Sequence, residues 1–148
     1  MSIRRELVRL YPAVAPYRVK VLESRAALAG LWSGTGDHAR ALAEVTELEK
    51  DPDLIAGACY DLACACSLAS AAIAKDPKLS PAERGASADA CSARAVALLS
   101  RAVAMGYANV GGIKTDADLN AIRGRAEFKK LLRGLEAQKK AGGSPPVQ

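Results

Sequence analysis

Three of the four cysteines of this chain lie within eight positions, and their spacing limits the chemistry they can do. On a helix, Cys59 and Cys66 point the same way, about 20° apart, while Cys64 points about 140° away from Cys59. Cys59 and Cys66 are then about 10 Å apart along the helix axis, too far for a disulfide or for one zinc ion with bonds of ~2.3 Å. We therefore interpret the cysteines as small hydrophobic residues of a packed core. Cys91 comes from another segment and could approach one of them, so a metal or redox role stays open as the alternative.

A second candidate for metal chemistry has the spacing of positions 1, 3, 5 and 12 of a calcium loop, and its residues are Asp116, Asp118, Asn120 and Glu127. The sixth position of such a loop needs glycine for its sharp turn, and here it is Ala121. A helix cap formed by Thr115 or Asp116 accounts for the same residues. We therefore predict no bound metal, and calcium remains the alternative.

Enzymatic chemistry has little support among the remaining residues. His38 is the single histidine, so a cysteine–histidine nucleophile would have to use it, and no third residue that would orient it is evident. The chain also contains no glycine-rich phosphate loop. We expect His38 to be a packed or capping residue, and we predict a protein that is not an enzyme and needs no cofactor.

The elements that must position these residues are predicted to be helices. Half of the 148 residues are hydrophobic, only 4% are aromatic, and alanine, the best helix former, occurs 31 times. Nothing in the chain alternates with the period of two that marks a strand. No uninterrupted apolar run reaches the ~18 residues that span a bilayer, and the first 14 residues carry charges where a signal peptide is apolar. We therefore expect a soluble, cytoplasmic, all-α protein with no membrane partner.

Helix start and stop signals divide the chain. We predict helices at about 17–33, 37–50, 54–74, 81–105 and 126–139, with a short helical turn at 116–122 and a loop at 107–115. Ser80, Pro81 and Glu83 form a capping box, and Gly106 is the expected left-handed cap of the fourth helix. Residues 1–16 are a lead-in that contains at most a short helix at 2–11, residues 17–140 form the domain, and residues 141–148 are a disordered tail.

The sequence contains an internal repeat. A pattern of leucine, a small residue and a bulky residue recurs with a period of 34 residues, from Leu28 to Leu62. The repeat positions are Leu28, Ala29, Trp32, Gly36, Ala41, Val45 and Pro52 in the first copy, and Leu62, Ala63, Cys66, Ala95 and Leu99 in the second. The copies occupy about residues 22–52 and 56–106, and the second carries an insertion of roughly 20 residues. A capping segment follows at 115–140.

This pattern resembles the tetratricopeptide repeat, a helix–turn–helix unit of 34 residues. The stretch TDADLNAIRGRAEFKKLLRGLE, after RAVALLSRAVAMGY, is similar to the C-terminal part of the tetratricopeptide regions that are attached to large bacterial Ser/Thr protein kinases, notably in planctomycetes. The resemblance implies antiparallel helix hairpins stacked as a short α-solenoid, with a capping helix and a concave groove. It also implies an association with a Ser/Thr kinase.

The function that follows is partner binding. We expect a scaffold or adaptor that takes a peptide or helix in the groove, lined by Arg25, Tyr60, Asp61 and Cys64. The net charge is +5, and residues 1–25 and 114–140 each carry +4. Binding of nucleic acid or of an acidic partner through these basic ends is the alternative. It is the weaker one, because no aromatic residues are interleaved with the charges for base stacking.

Overall fold

A computed structural model describes residues 15–142 together with Ile3, Glu6, Arg9 and Leu10. Within these residues the fold is all-α and contains no strand. The helices are α1 (Ala15–Gly34), α2 (His38–Leu48), α3 (Ala56–Ile73), α4 (Pro81–Ala104), α5 (Val110–Thr115) and α6 (Ala126–Lys140), and a short 3-10 helix (Ala117–Ile122) lies between α5 and α6. The expectations for residues 1–16 and 141–148 fall largely outside the described residues.

The predicted start and stop signals are present. The Ser80 hydroxyl accepts a hydrogen bond from the Glu83 backbone N–H, and the Glu83 carboxylate accepts one from the Ser80 N–H at 2.8 Å. Gly106 has a φ of 101°, in the left-handed region that favours glycine, and it follows the end of α4 as predicted. Asp116 caps the 3-10 helix by accepting the Asp118 N–H at 2.9 Å. The capping interpretation of Asp116 is therefore confirmed.

One predicted boundary is wrong, because residues 110–115, placed in a loop by the sequence, form α5. Two glycines in six residues argue against a helix by propensity. The Asn109 side chain outweighs them by accepting the Gly112 N–H at 2.8 Å, and Ile113 is fully buried. A Cβ at Gly112 would lie 2.6 Å from the Asn109 amide nitrogen, so glycine permits this close cap.

The core is built around α3, which packs against α1, α2, α4 and the 3-10 helix. Its buried residues are mostly small, so neighbouring helices can approach closely. Most of the proposed repeat positions are buried, namely Ala29, Ala41, Val45, Leu62, Ala63, Cys66, Ala95 and Leu99. Leu28 and Trp32 are half-buried, with the Arg40 guanidinium 4.0 Å above the Trp32 ring, while Gly36 and Pro52 are exposed in the turns.

All four cysteines are buried free thiols, as the core interpretation predicted. The Cys59 thiol donates to the Leu98 carbonyl of α4 at 3.3 Å. Burial raises the pKa of all four thiols, so at neutral pH they are protonated and unreactive.

The mean hydropathy of α3 is high enough for a membrane span, although Asp61 interrupts its apolar run. By length and composition this 18-residue helix could cross a membrane, since its mean hydropathy is 1.4 and Asp61 is its single charged residue. In the structure, 67% of the helix is buried inside the fold. The central helix of a packed domain passes the same test, so this is weak support for a membrane span.

Candidate functional site

A cleft of about 620 Å³ opens between α1, α3 and the start of the 3-10 helix. The lining residues from α1 and the turn after it are small or apolar, namely Ala26, Ala27, Gly30, Leu31, Gly34 and Thr35. Nothing lies within 4 Å of where a Cβ would stand on Gly30 or Gly34, so this side of the cleft is open. Leu31 is 60% exposed, one of few large hydrophobic residues that the described fold leaves in solvent.

The other side of the cleft is polar and acidic. It consists of Tyr60, Asp61 and Cys64 of α3 together with Asp116 and Asp118, and the apolar Leu68 of α3 lies beside them. Asp61 and Cys64 share this face because they are three residues apart on a helix. Asp116 and Asp118 reach it from a segment more than fifty residues after Tyr60, because the 3-10 helix packs against α3.

Tyr60 attaches that segment to α3. Its hydroxyl donates to Asp116 Oδ2 at 2.7 Å, and its ring stacks on Tyr107 with centroids 4.2 Å apart and planes 9° from parallel. The Cys64 thiol donates a long hydrogen bond, 3.8 Å, to the same Asp116 oxygen. Burial, reinforced by the hydrogen bond to Asp116, raises the pKa of Tyr60, so the phenol stays protonated and able to donate.

Arg123 holds the backbone of the same segment from outside the cleft. Its guanidinium donates to the Lys114 carbonyl at 2.6 Å and to the Asp116 carbonyl at 2.5 Å. Because an arginine offers five donors in a rigid fork, one side chain satisfies carbonyls at the end of α5 and the start of the 3-10 helix. This positioning role of Arg123 was not predicted from the sequence.

The carboxylates of the cleft repel one another. Burial raises the pKa of Asp61 to about 6, and the nearby charges of Glu23, Asp116 and Asp118 add to the shift. Burial and the neighbouring Asp116 also raise the pKa of Asp118. The ionised carboxylates in the cleft therefore lower the stability of the fold, and a cation bound beside them would reduce this loss.

Of the four residues expected to line a groove, Tyr60, Asp61 and Cys64 lie on the cleft, and Arg25 does not. Arg25 forms an ion pair with Glu44 of α2 at 2.5 Å, so it connects the first two helices instead. Leu31 and Ala27, whose side chains form the apolar part of the cleft, were not among the expected residues. Their signal in the sequence was weak, because single apolar or small residues on a helix surface are common.

The calcium spacing does not produce a calcium site. Asn120 accepts a hydrogen bond from the Arg123 guanidinium at 2.9 Å, and the Glu127 carboxylate lies 3.6 Å from Arg125. These two ligands are therefore turned towards arginines.

A different set of donor atoms converges in the cleft, where those of Cys64, Asp116 and Asp118 lie within 4.8 Å of one another. Both Asp116 carboxylate oxygens already accept hydrogen bonds. Burial, with the two carboxylates adding to it, raises the pKa of the Cys64 thiol, so a metal would have to displace a tightly held proton. This chemistry disfavours a metal at these residues.

His38 is not among the residues that line the cleft. Its Nε2 atom is 3.7 Å from an Asp76 carboxylate oxygen, which places the start of α2 beside the turn after α3. That contact fits a packed histidine that connects two elements.

No protein-family model matches this chain, and neither the curated proteins nor the solved structures contain a significant match to it. The resemblance to the tetratricopeptide repeat therefore depends on the residues of the chain alone.

Proposed function

We propose that this chain is a non-enzymatic protein-interaction module whose cleft takes a peptide or helix from a partner. The observation that carries the proposal is the cleft itself, about 620 Å³, with the exposed Leu31 on one side and an acidic corner on the other. A concave cleft lined by apolar residues and a few polar groups is typical of a binding site. A scaffold or adaptor role follows from such a surface.

The same proposal includes a tetratricopeptide arrangement of the helices. Two points support it: α1 packs on α2 and α3 on α4 across short connections, and α3 also contacts α1 and α2. In that arrangement α1 and α3 are the first helices of successive hairpins, which line the concave groove of such stacks. The cleft lies between these two helices.

The C-terminal resemblance makes a bacterial Ser/Thr protein kinase the first partner to test, in the cytoplasm. Kinase association and cytoplasmic location both stay predictions.

A cleft-filling variant tests the proposal. Ala27→Trp places a large ring in the cleft, whereas Ala97→Trp places the same ring on the exposed face of α4. We expect tagged wild type and Ala97→Trp to retain the same partner from lysate of the native cells, and Ala27→Trp to lose it while keeping its thermal melt. Equal retention by all three proteins would contradict a binding role for the cleft.

The basic face of α6 favours a second candidate, the binding of nucleic acid or of an acidic partner. Lys129, Lys130 and Arg133 are exposed and have no carboxylate partner among the described residues. Affinity for such a partner would fall steeply with salt concentration, whereas binding in the partly apolar cleft would fall much less.

A further inference from the structure

The charge of the cleft is opposite to that of the whole protein. The chain carries +5, yet the charged residues that line the cleft are Asp61, Asp116 and Asp118, with no lysine, arginine or histidine among its lining residues. Glu23, on α1, adds to the negative potential at Asp61. A low-dielectric cleft lined by one sign of charge concentrates ligands of the opposite sign.

Among the partly buried acids of the described fold, Asp61 is exceptional in having no partner for its carboxylate. Glu44 and Glu49, which are also partly buried, form ion pairs with Arg25 and Arg94, each at 2.5 Å. Asp61 has neither an ion pair nor a hydrogen bond in the described residues, although it is only partly exposed. An acid that is partly buried and unpaired lowers stability, so its presence in a cleft indicates a partner outside the chain.

The two kinds of lining residue, acidic and apolar, indicate which side chains of that partner would fit the cleft. The acids lie on α3 and at the start of the 3-10 helix, while the α1 side offers Ala27, Gly30 and Leu31. Lysine and arginine match this division, because their methylene stems pack on apolar surface while the charged head reaches carboxylates. The open backbone around Gly30 leaves room for the stem.

We infer that the cleft binds a lysine or arginine side chain of a basic partner segment, with an adjacent apolar side chain of that segment packed against Leu31. This inference rests on the proposed function and specifies its ligand. The cation takes the place of the missing partner of Asp61, and Asp118 provides a second, exposed carboxylate beside it. The interaction surface is thus selective for basic over acidic or neutral segments.

The test uses the full ¹⁵N-labelled chain and two capped peptides, acetyl-Leu-Arg-Leu-Arg-Leu-amide and its counterpart with citrulline at both arginines. Citrulline keeps the shape of arginine and removes its charge. We expect the arginine peptide to shift the amide signals of residues 26–35, 60–68 and 116–118, and to bind about tenfold more tightly than the citrulline peptide. Asp61→Asn should weaken the arginine peptide about fivefold and leave the citrulline peptide unchanged. Glu47→Gln, which removes an exposed charge on α2, is the matched control.

Three results would overturn the inference. Equal binding of both peptides in the cleft would exclude recognition of the cation and leave the proposed function standing. Absence of shifts in these segments at millimolar peptide would exclude a basic ligand. The Ala27→Trp experiment would then test separately whether the cleft binds a partner. If Zn²⁺ alone shifts residues 64 and 116–118 and blocks the arginine peptide, the acids and Cys64 form a metal site instead.

Discussion

Replacing Asp61 with asparagine should stabilise the protein, because burial and the acidic neighbours both disfavour the ionised form of this carboxyl group. Its pKa rises from 3.8 to about 6 on folding. About two pKa units at 1.36 kcal/mol each correspond to about 3 kcal/mol, and solvent screening at a partly exposed side chain reduces this to about 1 kcal/mol. For a chain of this length, that is a rise in melting temperature of about 2–4 °C.

The sign of the pH dependence follows from the direction of the shift. Between about pH 4 and pH 6 the native state holds the Asp61 proton and the unfolded state has released it, so stability decreases as pH rises. The difference between Asp61→Asn and wild type should therefore be absent below pH 4, grow through this window and stay constant above it. Urea unfolding at a series of pH values measures that difference, with Glu47→Gln as the control.

A variant as stable as wild type at pH 7, or less stable, would refute the electrostatic description of the cleft. Together with the expected loss of peptide affinity, a gain in stability would identify Asp61 as a binding residue that lowers the stability of the fold.

Three further predictions concern packing and reactivity. Leu62→Asp buries an unpaired charge and should abolish the cooperative thermal melt, whereas Leu31→Asp, the same change at an exposed residue, should keep it. Tyr60→Phe removes the hydrogen bond to Asp116 and should cost about 1 kcal/mol in urea unfolding, with faster hydrogen exchange in residues 110–122. The four thiols should react with an aromatic disulfide reagent at pH 8 only as fast as the protein unfolds, since burial keeps them protonated and inaccessible.

Each of the three has a contradicting outcome. A normal melt for Leu62→Asp would place Leu62 outside the core. Unchanged exchange in Tyr60→Phe would mean that the segment 110–122 is held by other contacts. Fast reaction of one or more thiols in the folded protein would contradict the buried positions of the cysteines.

The helices could be predicted from the sequence because their signals are local. The Ser80 capping box and Gly106 act within one helical turn, so the ends of α4 are readable from a few residues. The short α5 was missed because its stability comes from burial of Ile113 and from the Asn109 cap, which outweigh the low helix propensity of its glycines.

The cleft was only partly accessible to sequence reasoning. Helical rotation places Asp61 and Cys64 on one face, so their proximity could be predicted. Asp116 joins them through a tertiary contact with Tyr60 that no local pattern encodes. Arg25 was expected on the same surface, yet a rotation of about 100° per residue places it about 200° from Ala27, and it faces α2 instead.

The most direct test of a partner-binding cleft is site-specific photo-crosslinking in the native cells. A benzophenone side chain at Leu31 would sit in the cleft, and the same group at Ala97 would sit on the exposed face of α4. We expect one discrete protein adduct from Leu31, reduced in yield when Asp61 is also replaced by asparagine, and none from Ala97. The same adducts from both positions, or an adduct from Ala97 alone, would contradict this expectation.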